Sequence, residues 1–324
     1  IFNYLAADLR YEIDQIKEKG EVRSFNTEVK ARLEVHTEYA PERETFNVLG
    51  KITGSDRRMK KECVILGAHM DGLGMDPLGN VLNGANDNAS GTAVVMETAR
   101  LMKQNKVKPK RTVVFALWAG EEQGLFGSTH YAANPVFPLD QTVANINLDM
   151  VGQGGGHVGL GGIYLSSEIW EQLKPDLSED VLAGMTPRRG VGGSDHLSFL
   201  AVGVPAFHMV GDRPHFKTHH CRDDVDLIKT DMLEKAARFL YQASLVLADK
   251  KGDFFFPHRS ETIAWRQQTI INHPMMPVGT ALDGLKDNVN PDIDLQMADL
   301  DVKGIDNFDA WKVRILEKLN GLPD

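Results

Sequence analysis

Short apolar runs that alternate with helical patterns limit the folds open to this chain. Such runs are typical of strands that are covered on both faces of a sheet. Two segments with the apolar spacing of a helix, residues 90–104 and 230–247, lie between or after them. We therefore predict an α/β fold. The apolar runs are residues 63–66, 112–118, 143–148 and 204–207.

Two earlier segments, residues 32–39 and 46–52, alternate between apolar and polar side chains instead. This alternation is typical of half-exposed antiparallel strands. Together with the apolar runs it predicts a three-layer sandwich with a mixed, mostly parallel central sheet. The glycine-rich residues 154–162 are expected to form a loop. Ligands of such sheets bind beyond the carboxyl ends of the strands.

Charge and hydropathy exclude some partners. The net charge of −9 argues against nucleic acid or an anionic membrane as the main partner. No run of 18 uncharged apolar residues is present, so no segment is predicted to span a membrane. The oligomeric state is left open by the sequence.

The chain is expected to divide into three parts. Residues 1–20 have the pattern of a charged helix, residues 21–250 would form the main domain, and residues 251–324 an appendage with a final helix over 308–319. Because the first residue is Ile1, we expect either a processed form or a truncated one, with its targeting signal removed. We predict separately that the protein is secreted or periplasmic. Cys63 and Cys221 can form one bridge or remain as two thiols.

Polar residues suited to metal binding follow the predicted strands. His69 and Asp71 come shortly after the run 63–66, and in an extended segment their side chains point to the same side. Asp71 can then accept the second ring N–H of His69, which is how a metal-binding histidine is commonly oriented. A loop histidine beside a solvated aspartate fits the same residues.

Two glycine-containing segments add carboxylates. Asp87 lies in a polar turn before the predicted helix 90–104, where it can bridge two cations or belong to an ordinary capping loop. Glu121 and Glu122 follow the run 112–118. Adjacent carboxylates after a buried strand repel each other, so we predict that one binds a metal and that its neighbour acts as a general base.

Asp149 and the pair His219-His220 complete the set. Asp149 ends another apolar strand, where an unpaired charge would be costly. Either histidine can be the second imidazole ligand, because His219 has Asp223 four residues later and His220 has Asp224. These imidazoles and carboxylates suit two divalent cations and a general base, which is a common arrangement for activating water.

The order of these motifs resembles peptidase family M28, the di-zinc aminopeptidases and their carboxypeptidase relatives. The resemblance covers about residues 45–250 and implies the α/β fold of a zinc exopeptidase with two zinc ions per chain. Three segments carry it: Asn-Gly-Ala-Asn-Asp-Asn-Ala-Ser-Gly at 83–91, Trp-Ala-Gly-Glu-Glu-Gln-Gly-Leu-Phe-Gly-Ser at 118–128, and Asn-Leu-Asp-Met-Val-Gly at 147–152.

The resemblance also implies roles for individual residues. Glu121 would be the general base, Asp71 would orient His69, and the peptide bond Asp87–Asn88 would be cis. One zinc would be bound by His69 and Asp149, the second by Glu122 and a late histidine, and Asp87 would bridge the two.

The late histidine of the family has an acidic residue four positions later and often a tyrosine directly before it. His220 meets the first condition through Asp224, and Cys221 stands where the family usually has a small hydroxyl residue after the histidine, so we choose His220 as the ligand. His219 then occupies the place of the tyrosine, which polarises the scissile carbonyl in the family.

We predict a zinc exopeptidase that acts on a peptide substrate, and in the first place an aminopeptidase. A carboxypeptidase or dipeptidase would use the same metals and would need a cation for the terminal carboxylate, for which Arg188 and Arg189 are candidates. A glutaminyl cyclase or a non-catalytic ectodomain could also be built on a related scaffold.

Overall fold

The computed structural model describes residues 44–190, 192–213 and 217–251, together with six residues nearer the amino terminus. The chain forms two compact units, Ile1–Glu44 and Thr45–Asp324. The predicted helix 308–319 lies outside the described residues, and the predicted domain limits at 20/21 and 250/251 stay predictions. These six residues are Tyr11, Gln15, Glu18, Lys19, Arg32 and Glu34.

Only fragments of the first unit are described. Four residues of the segment predicted as a helix, all between positions 11 and 19, are helical. Arg32 and Glu34 form an ion pair and belong to neither a helix nor a strand. The rest of the strand predicted over residues 32–39 lies outside the described residues.

A single sheet of seven strands, counted over the described residues, organises the second unit. The order of the strands across the sheet is β1-β3-β2-β4-β7-β5-β6. β3, β2, β4 and β7 are parallel neighbours, whereas β1 is antiparallel to β3 and β5 is antiparallel to β7. The predicted mixed, mostly parallel sheet is confirmed. The strands are β1 (Val48–Ile52), β2 (Cys63–His69), β3 (Thr112–Trp118), β4 (Thr142–Leu148), β5 (Val158–Gly161), β6 (Met185–Pro187) and β7 (Ala206–Gly211).

Helices connect these strands. The helices predicted over 90–104 and 230–247 are confirmed as α1 (Gly91–Gln104) and α6 (Thr230–Asp249), while the short helices between them were not predicted. Among the described residues, no helix combines the length and apolar character needed to cross a bilayer. The helices are α1 (Gly91–Gln104), α2 (Phe126–Ala133), α3 (Ser167–Leu173), α4 (Glu179–Ala183), α5 (His196–Ala201) and α6 (Thr230–Asp249).

Both faces of the sheet are covered, because successive side chains of each strand point to opposite faces. Val64 of β2 belongs to a core that also contains the apolar stripes of α1 and α6. Its neighbour Cys63 belongs to a second core, formed with α2 and α5. In this second core the rings of Trp118, Tyr131 and Phe199 pack together, with centroids 5.3 to 5.9 Å apart. The three-layer sandwich is therefore confirmed.

The carboxyl ends of three neighbouring strands meet at one edge of the sheet. β2 lies between β3 and β4 and ends at His69, which is paired with Trp118 at the end of β3. Glu121 follows β3 after a short turn, and Asp149 follows β4 directly. The fold thus brings three separate parts of the sequence to the edge where ligands were predicted.

Candidate metal centre

The carboxylate of Asp87 lies between two imidazole rings. Its Oδ1 is 3.3 Å from Nε2 of His69, and its Oδ2 is 3.2 Å from Nε2 of His219. Asp87 and His69 are buried, whereas the His219 side chain is 52% exposed. Because each oxygen faces a different ring, this carboxylate has the geometry of a ligand that two cations share.

Two groups of potential ligands surround Asp87. In the first group, Nε2 of His69 is 3.4 Å from Oδ1 of Asp149 and 4.0 Å from Oε2 of Glu121. In the second, Nε2 of His219 is 3.0 Å from Oε2 of Glu122. Within each group the candidate ligand atoms lie within 4.8 Å of one another. Side chains that are far apart in the sequence therefore converge at two adjacent positions.

Asp71 connects the histidine of β2 to the glutamates that follow β3. Its Oδ1 is 3.5 Å from Nδ1 of His69, on the side of the ring away from Asp87. Its two carboxylate oxygens accept the main-chain N–H groups of Glu121 at 3.1 Å and Glu122 at 3.2 Å. One carboxylate thus holds the backbone of both glutamates while it faces the second ring nitrogen of His69.

The turn that carries Asp87 is irregular. Ala85–Ser90 is a helical turn before α1 that is interrupted at Asp87 and Asn88, whose backbone angles are not helical. The peptide bond Asp87–Asn88 is cis, as the family resemblance implied. The Asn88 side chain donates to the carbonyl of Leu148 and accepts the N–H of Met150, which ties the turn to the end of β4.

The structure places His219, and not the expected His220, beside the other candidate ligands. His219, with a left-handed φ of 58°, directs its ring at Asp87 and Glu122. His220 is exposed, and its Nδ1 accepts the N–H of Arg222 at 3.0 Å. His219 therefore replaces His220 in the candidate ligand set. The residue directly before the ligand position is then Thr218, not His219.

The contacts of Asp223 and Asp224 distinguish the two histidines. Asp223 follows His219 by four residues, is buried, and accepts the main-chain N–H groups of Asn86 and Asp87. Asp224 follows His220 by four residues, but its partner is the side chain of Asn83. Both acids are visible in the sequence, whereas their contacts are not.

Burial and crowding shift the pKa values of the carboxylates. Burial, reinforced by the charge of Asp149, raises the pKa of Glu121 to about 9. Burial and the charge of Asp87 raise the pKa of Glu122 to about 7. Burial lowers the pKa of His69, but the charge of Asp149 and the hydrogen bonds to Asp149, Asp71 and Asp87 together outweigh it and raise that pKa well above its ordinary value. Burial and the neighbouring carboxylates thus favour the protonated forms of the two glutamates.

The donor set fits divalent cations. In the ion pairs formed by the described residues, the carboxylates of this site pair only with the two imidazoles of His69 and His219. Imidazole nitrogens and carboxylate oxygens are ordinary zinc ligands. A cation in each group would supply the positive charge that the surrounding side chains lack.

Asp195 is a further acidic residue near this site. It is buried directly before α5, and burial raises its pKa to about 7. Its charge contributes to the raised pKa of Glu121. Asp195 thus lies at the start of α5 and influences the site through its charge. The Arg188 side chain, a candidate for binding a terminal carboxylate, donates to the main-chain carbonyl of Gly211.

The family model described as Peptidase family M28 matches residues 47–244. The fold and the two-group site agree with this match, and the chain belongs to peptidase family M28, a family with zinc metallopeptidases among its members.

Two curated relatives illustrate the range of named activities. Aminopeptidase YwaD of Bacillus subtilis is 28% identical over 247 residues, which is 72% of this chain and 50% of that protein. Human carboxypeptidase Q is 24% identical over 246 residues, which is 73% of this chain and 48% of that protein. This chain therefore spans about half the length of these relatives.

Among solved structures, the zinc aminopeptidase BSAP from Bacillus subtilis is similar to this chain, with a TM-score of 0.55 and 26% identity. The similarity covers 64% of this chain and 51% of that one. This likeness agrees with the sheet and flanking helices described above.

Proposed function

We propose that this chain is a two-zinc exopeptidase, and specifically an aminopeptidase. The observation that carries the proposal is the position of Asp87, whose two oxygens lie 3.3 Å and 3.2 Å from the imidazoles of His69 and His219. The resemblance of this chain to Aminopeptidase YwaD and to a solved zinc aminopeptidase supports the choice of activity.

The ligands are assigned from the two groups. His69 and Asp149 would hold one zinc ion, Glu122 and His219 the second, and Asp87 both. Two bound cations would supply Lewis acidity, which polarises a carbonyl and makes a water molecule acidic enough to lose a proton near neutral pH. Glu121 is left out of the ligand set because its Oε2 is 4.0 Å from Nε2 of His69, farther than Asp87 or Asp149.

Glu121 is the proposed general base. Its main-chain N–H is fixed by Asp71, so its carboxylate is held next to the first group of ligands. It would take one proton from the attacking water as the water oxygen bonds to the peptide carbonyl carbon. When the C–N bond breaks, Glu121 would return that proton to the leaving nitrogen.

Replacement of Glu121 tests this assignment. Glu121→Gln keeps the shape of the side chain but removes its basic oxygen, so turnover should be lost while the zinc content stays at the wild-type value. Glu171→Gln, an exposed change of the same kind in α3, is the matched control. Full activity of Glu121→Gln would contradict the assignment of the base.

The end of the substrate that is recognised needs a separate measurement. An aminopeptidase should cleave dipeptide amides with a free amino group and should not cleave the same dipeptides when their amino group is acetylated. The reverse preference would favour a carboxypeptidase, the activity in the name of one curated relative. Release of ammonia from a peptide with an amino-terminal Gln would instead indicate a glutaminyl cyclase.

A further inference from the structure

We propose that Asp223 is a positioning residue that fixes His219 relative to Asp87, and that it thereby sets the affinity of one of the two cation positions. The inference rests on the proposed function, because it takes Asp87, Glu122 and His219 as ligands. It adds a residue that is not itself a ligand and predicts that its loss affects the two positions unequally.

The contacts of Asp223 reach across the site to the Asp87 turn. Its Oδ1 and Oδ2 lie 3.0 Å and 3.1 Å from the main-chain nitrogen of Asn86, and Oδ2 lies 2.9 Å from that of Asp87. Its own carbonyl oxygen accepts the N–H of Ala85 at 3.0 Å. Asp223, which is 1% exposed, therefore accepts hydrogen bonds from three consecutive main-chain N–H groups of the turn.

The chemistry of these contacts explains why a carboxylate is needed. The N–H groups at the start of a helical turn have no partner within the turn itself. A buried carboxylate satisfies them with charge-assisted hydrogen bonds, which are stronger than those between neutral groups. An asparagine at position 223 would offer one acceptor oxygen and would turn its N–H₂ group toward the remaining donors.

Asp223 also belongs to the same compact loop as His219. The N–H of Asp223 donates to the carbonyl of His220 at 2.9 Å, and the N–H of His220 donates to the carbonyl of Lys217 at 3.0 Å. These bonds define two successive tight turns, 217–220 and 220–223; His219 lies within the first, and Asp223 ends the second. A shift of Asp223 would therefore be transmitted to the imidazole that faces Asp87 and Glu122.

Other hydrogen bonds hold the opposite side of the Asp87 turn. The Asn88 side chain binds the carbonyl of Leu148, and Oδ1 of Asn86 accepts the N–H of Gly152 at 2.8 Å. These contacts hold the turn against the segment that carries Asp149. Because these two bonds do not use the Asp223 carboxylate, the group of His69 and Asp149 should change less than the group of Glu122 and His219 when Asp223 is replaced.

Titration of the metal-free full chain with zinc, and with Co²⁺ as a spectroscopic probe, tests the proposal. Asp223→Asn should weaken one of two binding steps by about 10- to 100-fold, the usual cost of losing a group that orients a ligand. The second step should stay within about threefold of the wild type, and the weakened step should be the one that His219→Ala removes. Asp224→Asn, with the same change of charge one residue away, should leave both steps unchanged.

Three results would overturn the inference: two unchanged steps in Asp223→Asn, an equal loss in both steps, or the same effect in Asp224→Asn. If Asp223→Asn does not fold, amide hydrogen exchange of the wild type decides. The N–H groups of Asn86 and Asp87 should be protected without metal, and rapid exchange there would refute the anchor. A wild-type chain that binds no cation at all would overturn the proposed function and this inference together.

Discussion

The carboxylate of Asp71 accepts the main-chain N–H of Glu121 at 3.1 Å, and so links the end of β2 to the proposed general base. The same carboxylate faces Nδ1 of His69 at 3.5 Å. Its pKa is lowered, because these hydrogen bonds outweigh the effect of burial. Asp71 should therefore be ionised at neutral pH and should influence both metal binding and catalysis.

Asp71→Asn is predicted to lower metal affinity by about 10- to 100-fold, because His69 loses the group that fixes its ring and tautomer. Activity at saturating zinc should fall as well, since the main chain of Glu121 loses an acceptor. Zinc titration and kinetics at saturating zinc measure the two effects separately. Asp140→Asn, an exposed change of the same kind, is the control. Unchanged affinity and activity in Asp71→Asn would refute this role.

His219→Ala is predicted to lose one of the two zinc ions and nearly all activity, whereas His220→Ala should retain both. The reason is that, of these two histidines, only His219 directs its ring at Asp87 and Glu122. Nδ1 of His220 instead accepts the N–H of Arg222. Metal analysis and turnover of the two variants measured side by side provide the comparison. The opposite pattern would restore His220 as the ligand.

The metal-free protein is predicted to become less stable as the pH rises. The pKa of Glu121 is raised from 4.5 to about 9, so between these values the folded state binds a proton that the unfolded state has lost. Stability then decreases with increasing pH over this range. Glu122 and Asp195, each with a pKa raised to about 7, act in the same direction below that pH.

Thermal unfolding of the chelator-treated protein from pH 5 to pH 9 measures this effect. The decrease in Tm should be smaller in Glu121→Gln, which has no carboxylate to ionise at that position, and added zinc should raise the Tm most at the higher pH. Identical pH profiles for the metal-free wild type and Glu121→Gln would show that ionisation of Glu121 does not destabilise the folded state.

The two cysteines are predicted to differ in reactivity. Cys63 is fully buried in β2, and burial raises the pKa of its thiol to about 12. Cys221 is partly exposed, and both thiols are free. Because the thiolate is the reactive form, iodoacetamide should label Cys221 in the native protein and should reach Cys63 only after unfolding. Mass spectrometry that finds Cys63 labelled first would contradict this packing.

The sequence predicts those elements that have strong local patterns. β3 matches the predicted run 112–118 at both ends, because each of its residues is apolar or β-branched. β2 continues past the predicted residue 66 to His69, because Gly67 and the residues after it are paired with β3. Such pairing depends on the neighbouring strand and cannot be recognised from the local pattern of apolar residues.

Some elements are too short or too rich in glycine to predict. β5 lies in the glycine-rich segment expected to be a loop, and it is a strand because β7 and β6 lie on either side of it. The helices α2 to α5 have eight residues or fewer, which is too short for a clear periodicity. Neighbours in the fold, not local propensity, determine these elements.

The candidate site, too, could be predicted only in part from the sequence. His69, Glu121 and Asp149 were identified because they follow apolar strands whose carboxyl ends meet in a parallel sheet. The choice between His219 and His220 failed, because adjacent histidines with equally spaced acids give equivalent patterns. The deciding contact joins Asp223 to Asn86, 137 residues away in the sequence.

Anomalous X-ray diffraction from zinc-loaded crystals, recorded at the zinc absorption edge, tests the central claim most directly. We predict two peaks beside Asp87, each within about 2.0–2.3 Å of its ligand atoms, one at His69 and Asp149 and the second at Glu122 and His219. A single peak, peaks away from Asp87, or no peak at all would contradict the proposed two-zinc centre.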